Sequence, residues 1–161
     1  MNIVKYPADI LRKTTITVKD IDGALALFTQ QMIEAMYRGR GIGLAAPQVD
    51  SQHSLFVVGL PDEKPLVFIN PEITGTSLET NPYEEGCLSL PGLYAKVTRP
   101  TSISIQAYNE KGRPFKLEAD GLLARVIQHE LDHLKGVMFT DHLSDFKRER
   151  LLKEYEKARR A

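Results

Sequence analysis

The pentapeptide His129-Glu130-Leu131-Asp132-His133 constrains this 161-residue chain more than any other stretch. Side chains at i and i+4 lie one above the other on a helix, so the string works as a unit only if it is helical. Two imidazoles on one face then reach a single metal ion. The glutamate between them can address a metal-activated water, the logic of H-E-x-x-H hydrolytic sites. The flanking residues supply the helix. Asp120 reads as the N-cap of a segment running from residue 121 to residue 135, and Gly136 reads as its stop. Leu122, Val126, His129 and His133 share one stripe, and Leu123, Ile127 and Leu134 widen the apolar surface. Most of this helix is therefore expected to be buried, and buried imidazoles need partners, which a metal supplies.

Two histidines do not complete a catalytic metal site, which usually takes three protein ligands and keeps one position open. The chain has one cysteine, Cys87, in the run Glu84-Glu85-Gly86-Cys87-Leu88-Ser89-Leu90-Pro91-Gly92. Glycine before it frees the backbone, and Pro91-Gly92 marks a turn after it. A lone thiol makes no internal disulfide, which fits a reducing compartment. It could serve as a small buried hydrophobe, as a nucleophile paired with histidine, or as a ligand. The glycine-framed setting and the missing third ligand favour ligation.

Charge excludes more than it suggests. Lys plus Arg and Asp plus Glu stand at 21 each, so no overall basic field argues for DNA or RNA as the principal partner. The amino terminus lacks a secretory apolar core, and no apolar run approaches a membrane span, so a cytoplasmic protein is expected. No repeat or low-complexity tract is present.

The pattern along the chain gives an α+β layout. Residues 21–37 read as an amphipathic helix with Leu25, Leu27, Phe28, Met32, Ile33 and Met36 on or near its core side. Strand-like runs follow at 54–58, 66–70, 95–97 and 102–108, and a hairpin turn at 110–113 precedes a run at 114–117. Short, mostly antiparallel strands are thus expected around a central helix that carries H-E-x-x-H. Residues 1–145 form the expected catalytic domain. A charged carboxy-terminal helix, residues 146–161, belongs to the same domain and can be capped by Ser144. Leu151, Tyr155 and Ala158 share a stripe on it.

Three signatures in order now carry a resemblance: Gly41-Ile42-Gly43-Leu44-Ala45-Ala46-Pro47-Gln48, then Glu85-Gly86-Cys87-Leu88-Ser89, then Gln128-His129-Glu130-Leu131-Asp132-His133. Together with the opening Ile3-Val4-Lys5-Tyr6-Pro7, they make the chain resemble bacterial peptide deformylases from about residue 3 to about residue 145. The resemblance implies hydrolysis of the N-formyl group from newly made formylmethionyl polypeptides, with release of formate. It implies one divalent metal held by Cys87, His129 and His133, ferrous iron in the cell, with zinc, nickel or cobalt possible in purified protein. Glu130 is the expected general base. The side-chain amide of Gln48 and the backbone N–H of Leu88 are the donors that the resemblance assigns to the oxyanion. Ile42, Gly43, Gly86, Leu122 and Val126 are expected to line the substrate pocket, with Ile42, Leu122 and Val126 suited to a methionine thioether.

Finer expectations concern the surroundings. Glu85 and Arg99 occupy positions where family members can form an ion pair that steadies the cysteine loop. Tyr94 stands where some members carry arginine. His53 and His142 fall outside the motif and read as structural or exposed. Residues 144–161 carry seven basic residues against four acidic ones. This segment reads either as a solvated face or, by the resemblance, as a contact to ribosomal RNA phosphates. Two other functions would use the same motif. A zincin-type metallopeptidase would recruit Asp141 or His142 and leave Cys87 idle. A non-catalytic, metal-stabilised module that binds the ribosome would need a closed, four-ligand site.

Overall fold

The computed structural model describes residues 1–160. Helix α1 (Gly23–Arg38) starts two residues later than the apolar pattern suggests, because Asp22 takes the cap: its Oδ1 accepts the Leu25 N–H at 2.9 Å. Leu25, Met32 and Met36 are buried, and Phe28 and Ile33 pack beside them. Leu27, expected near this core, is instead 56% exposed, because it lies about half a turn round the helix from Leu25.

Seven strands follow in chain order: β1 (Gly43–Ala45), β2 (Leu55–Val58), β3 (Leu66–Thr76), β4 (Thr80–Cys87), β5 (Leu90–Pro100), β6 (Ser102–Tyr108) and β7 (Pro114–Asp120). They make one five-stranded antiparallel sheet, ordered β1-β2-β3-β6-β7, and a separate antiparallel pair, β4-β5. The fold is α+β, as expected. Strand β3 runs well past the anticipated end at Asn70, through Pro71, because a register shift between Ile69 and Glu72 absorbs the proline. β5 extends the short 95–97 run in both directions, with Leu93, Ala95, Val97 and Arg99 alternating inward. β4 had no counterpart in the sequence reading. Its residues are mostly exposed and include Pro82, so neither alternation nor composition marks it.

The four residues of β2 are all buried because the sheet is covered on both faces. Leu55 and Val57 share a cluster with Met32 and Met36 of α1 and with their strand neighbours Leu44 and Ile69. Phe56 and Val58 face the other way, towards Ala124, Val126 and Ile127 of helix α2 (Gly121–Leu134). Phe56 stacks on Phe68 at 4.7 Å there. α2 also packs on the β4-β5 pair, so the helix that carries H-E-x-x-H lies between the two sheets.

β7 turns directly into α2 at Gly121, whose φ is +56°. Asp120 sits at the cap position but its side chain caps nothing; it is held in the ladder opposite Ser102. Beyond α2, Gly136 has φ +74°, and a Cβ there would lie 2.5 Å from the Arg12 carbonyl oxygen. That position therefore ends the helix as the sequence implies.

Helix α3 (Asp145–Arg160) follows, with the Lys147 N–H donating to Ser144 Oγ at 3.3 Å. Tyr155 is buried edge-on against Tyr6 at 6.1 Å, and Arg159 Nη1 donates to the Tyr6 carbonyl at 2.7 Å. No helix among the described residues is long and apolar enough to cross a membrane.

Candidate active site

A cleft of about 490 Å³ opens between the glycine-rich segment, β4-β5 and α2. Ile42, Gly43, Gln48, Gly86, Cys87, Leu88, Leu122, Val126, His129 and Glu130 all line it, so every residue named from sequence for catalysis or substrate binding contributes to one wall or another. His133 lies behind this surface and is buried. Cys87 at the end of β4 and the two histidines of α2 offer ligand atoms that all lie within 4.8 Å of one another. Cys87 Sγ is 3.4 Å from His133 Nε2.

These residues fit a divalent metal in their chemistry as well as their spacing. One thiolate and two imidazoles form a donor set suited to zinc and to ferrous, cobalt or nickel ions, and three ligands leave a position open. Burial pushes the Cys87 thiol up, but the charge of His133 and hydrogen bonds from both histidines more than offset this and hold its pKa at about 5. The sulfur is therefore available as the thiolate that ligation requires. His129 Nδ1 bonds Glu85 Oε1 at 2.9 Å, which leaves Nε2 for the ion. Glu130 is buried beside the group, 3.9 Å from His129 Nε2, and its Oε1 has no hydrogen-bond partner. Burial raises the Glu130 carboxyl above its ordinary range, although His129 and His133 pull the other way. A carboxyl raised in this way, with one oxygen free, is suited both to take up and to return a proton.

Glycine is required at one point in this geometry. A Cβ on Gly43 would lie 2.6 Å from Glu130 Oε2 and 2.8 Å from Val126 Cγ1. The glycine-rich segment thus comes closer to the catalytic helix than any side chain permits. Residues 43–45 form the short edge strand β1.

Glu85 is the hub beneath the ligands. Arg99 meets it with two hydrogen bonds, Nε to Oε2 at 2.7 Å and Nη2 to Oε1 at 3.0 Å. The expected ion pair is thus present, and it is larger than expected. Arg125 Nη1 donates to Glu85 Oε2 at 2.8 Å and to the Val97 carbonyl at 2.6 Å. Arg99 Nη1 donates to Asp132 Oδ2 at 2.8 Å, and His142 Nε2 lies 2.7 Å from the same oxygen. Burial favours the neutral form of Glu85, but bonds from His129 and Arg99 hold its carboxyl well below the usual range. Asp132 is lowered as well, against burial, by His142 and Arg99. The stability these carboxylates supply is present above the ordinary carboxylate range and is lost as pH falls through their lowered values. Arg99→Ala should cost about 1.5–3 kcal/mol of folding stability, because it removes charged hydrogen bonds from the buried Glu85, which keeps Arg125 and His129, and from the half-buried Asp132, which keeps His142. Urea unfolding of the variant beside the parent protein measures this.

Sequence reasoning missed Arg125, although it lies one turn before His129 on the same helix face, and that register was a usable signal. It also missed Tyr83, over whose ring the Arg125 guanidinium sits at 5.7 Å, and Ser89. Tyr94 is exposed and covers Gly86, where a Cβ would lie 2.6 Å from its ring. Asp141 bonds Arg12 and the Met138 N–H, and His142 bonds Asp132, so neither joins the histidine pair.

The profile of the polypeptide deformylase family matches residues 1–149. The peptide deformylase of Chromobacterium violaceum is 49% identical over 162 residues, covering 98% of this chain and 96% of the relative. That of Acinetobacter baumannii is 47% identical over 157 residues, covering 96% and 89%. Among solved structures, a peptide deformylase from Legionella pneumophila superposes with a TM-score of 0.93 at 37% identity, covering 99% and 95% of the two chains. The Ehrlichia chaffeensis peptide deformylase in complex with actinonin superposes with a TM-score of 0.96 at 34% identity, covering 100% and 98%.

Proposed function

The chain belongs to the polypeptide deformylase family, and on that premise we propose how its cleft removes the N-formyl group from the amino-terminal formylmethionine of new polypeptides. The convergence of Cys87, His129 and His133 beside a buried Glu130 with a free oxygen carries this reading. A divalent ion held by those three residues would activate water and polarise the formyl oxygen. Glu130 takes the proton of the attacking water and later delivers it to the leaving amine nitrogen, so that formate and a free amino terminus result. The Gln48 amide and the Leu88 backbone N–H face the oxygen that gains charge. Ile42, Leu122 and Val126 receive the methionine side chain, while Gly43 and Gly86 let the substrate backbone approach. Ferrous iron is the ion proposed for the cell, where the enzyme acts in the cytoplasm on chains as they emerge.

The competing readings lose support at particular residues. Asp141 and His142 are engaged away from the histidine pair, which leaves a zincin-type arrangement without its third ligand. The cluster has three ligands among the described residues, which favours an open site over a closed structural one. The test is an anaerobic assay of the Fe(II) protein on formyl-Met-Ala-Ser, run beside an unformylated endopeptidase substrate. Formate release from the first alone is expected; peptide-bond cleavage without formate would point to a peptidase.

The basic side chains of α3 are proposed to approach ribosomal RNA. Truncation after Leu143 should weaken ribosome binding and remove its salt dependence, while turnover on a short formyl peptide stays largely intact. It should also lower the melting temperature, because Tyr155 and its contacts with Tyr6 are lost. Co-sedimentation across a salt series, beside a thermal melt, checks both. Equal ribosome affinity of the two forms would remove the helix from the functional account.

A further inference from the structure

Gln48 donates usefully only if its N–H is aimed where charge develops. Three contacts set its carboxamide. Oε1 accepts the Ala45 N–H at 3.0 Å, which fixes which end of the amide is oxygen. Nε2 carries two protons. One goes to Ser89 Oγ at 3.1 Å. Cys87 Sγ lies 3.4 Å from the same nitrogen, so the other proton is turned towards the ligand cluster. With its oxygen anchored alone, the carboxamide could still rock, because the terminal torsion of glutamine is broad. The Ser89 hydroxyl removes that freedom.

Ser89 is itself held rigidly. It is fully buried, does not line the cleft, and its carbonyl accepts the Tyr6 N–H at 2.9 Å. Two residues earlier, the Val4 N–H donates to the Gln48 carbonyl at 2.7 Å. One amino-terminal segment therefore fastens the Gln48 turn and the Cys87 loop in register, and the Ser89–Gln48 bond closes the link between them through side chains. A hydroxyl bridging two walls of a site, itself out of reach of substrate, can act only through the group it holds.

We propose that Ser89 is a positioning residue whose hydroxyl sets the angle of the Gln48 amide and so the strength of its oxyanion donation. This rests on the reading of Gln48 as a donor. The test is a double-mutant cycle with formyl-Met-Ala-Ser: the parent protein, Ser89→Ala, Gln48→Ala and the double variant, each with metal content, kcat and KM measured. Gln48→Ala should lose on the order of 10²–10³-fold in kcat, as deletion of an oxyanion donor does. Ser89→Ala should lose on the order of tenfold in kcat, with KM and metal content unchanged, and nothing further in the Gln48→Ala background. The Gln48 side-chain amide pair, recognised in a ¹H–¹⁵N spectrum by its absence from Gln48→Ala, should shift in Ser89→Ala. If the alanine variant does not fold, Ser89→Gly takes its place in both backgrounds. An equal loss from Ser89→Ala in both backgrounds would overturn the proposal, as would full activity of Ser89→Ala beside an impaired Gln48→Ala. Full activity of Gln48→Ala would overturn the donor reading together with it, whereas absence of formate release from the parent protein would overturn the function itself.

Discussion

Glu130→Ala should keep its metal and lose nearly all turnover. The side chain is buried beside the ligand cluster but supplies no ligand atom to it, so metal content measured by emission spectrometry should match the parent protein. Its Oε1 has no protein partner, which leaves it free to exchange a proton with water or substrate. Removing a positioned general base costs about 10²–10⁴-fold. On the proposed mechanism one carboxylate would handle the proton twice, at attack and at departure of the amine, so the loss should fall at the upper end. Glu130→Gln should behave alike, because a carboxamide fills the space without accepting the proton. Loss of metal along with activity in either variant would make Glu130 a ligand and leave the base unassigned.

Removing a ligand should have the opposite signature: metal and activity disappear together. Cys87→Ala, His129→Ala and His133→Ala each reduce a three-ligand set to two, which cannot hold the ion against competing water. His129→Ala should be the least stable of the three, since it also takes a partner from Glu85. Cys87→Ala separates the possible roles of the thiol most sharply. A buried hydrophobe replaced by alanine would leave metal content untouched, and a cysteine nucleophile would leave the metal in place while turnover vanished. Full metal and activity in Cys87→Ala would refute the ligand assignment.

The contrast between these variants follows from what the residues themselves disclosed. His129, Glu130 and His133 are legible because helical spacing fixes their common face, and α2 runs almost where the apolar stripe said it would. Cys87 is legible because it is the chain's sole thiol in a glycine- and proline-framed loop. Gln48 and Leu88 were reached only through resemblance, since nothing local marks an amide as a donor. The Glu85 hub was half seen. Its bond to Arg99 spans 14 residues, but those to Arg125 and His129 span 40 and 44, and no local pattern encodes such pairings. β4 was missed because an exposed strand that pairs only with β5 has no buried face to impose alternation. Leu27 departs from the pattern because its angular position on α1, rather than its hydrophobicity, decides which face it takes.

Cys87 and the two histidines lie on elements that belong to different parts of the fold. β4 pairs only with β5, and α2 shares no backbone ladder with either. An ion bound there is therefore a cross-link, closing a loop of roughly forty residues that the unfolded chain leaves open. Occupancy and folding are then linked equilibria: at a free ion concentration of 100 times the dissociation constant, the native state gains about 2.7 kcal/mol. A shortage of the ion should then lower the amount of folded protein as well as its activity, because the emptied chain is more readily unfolded and degraded.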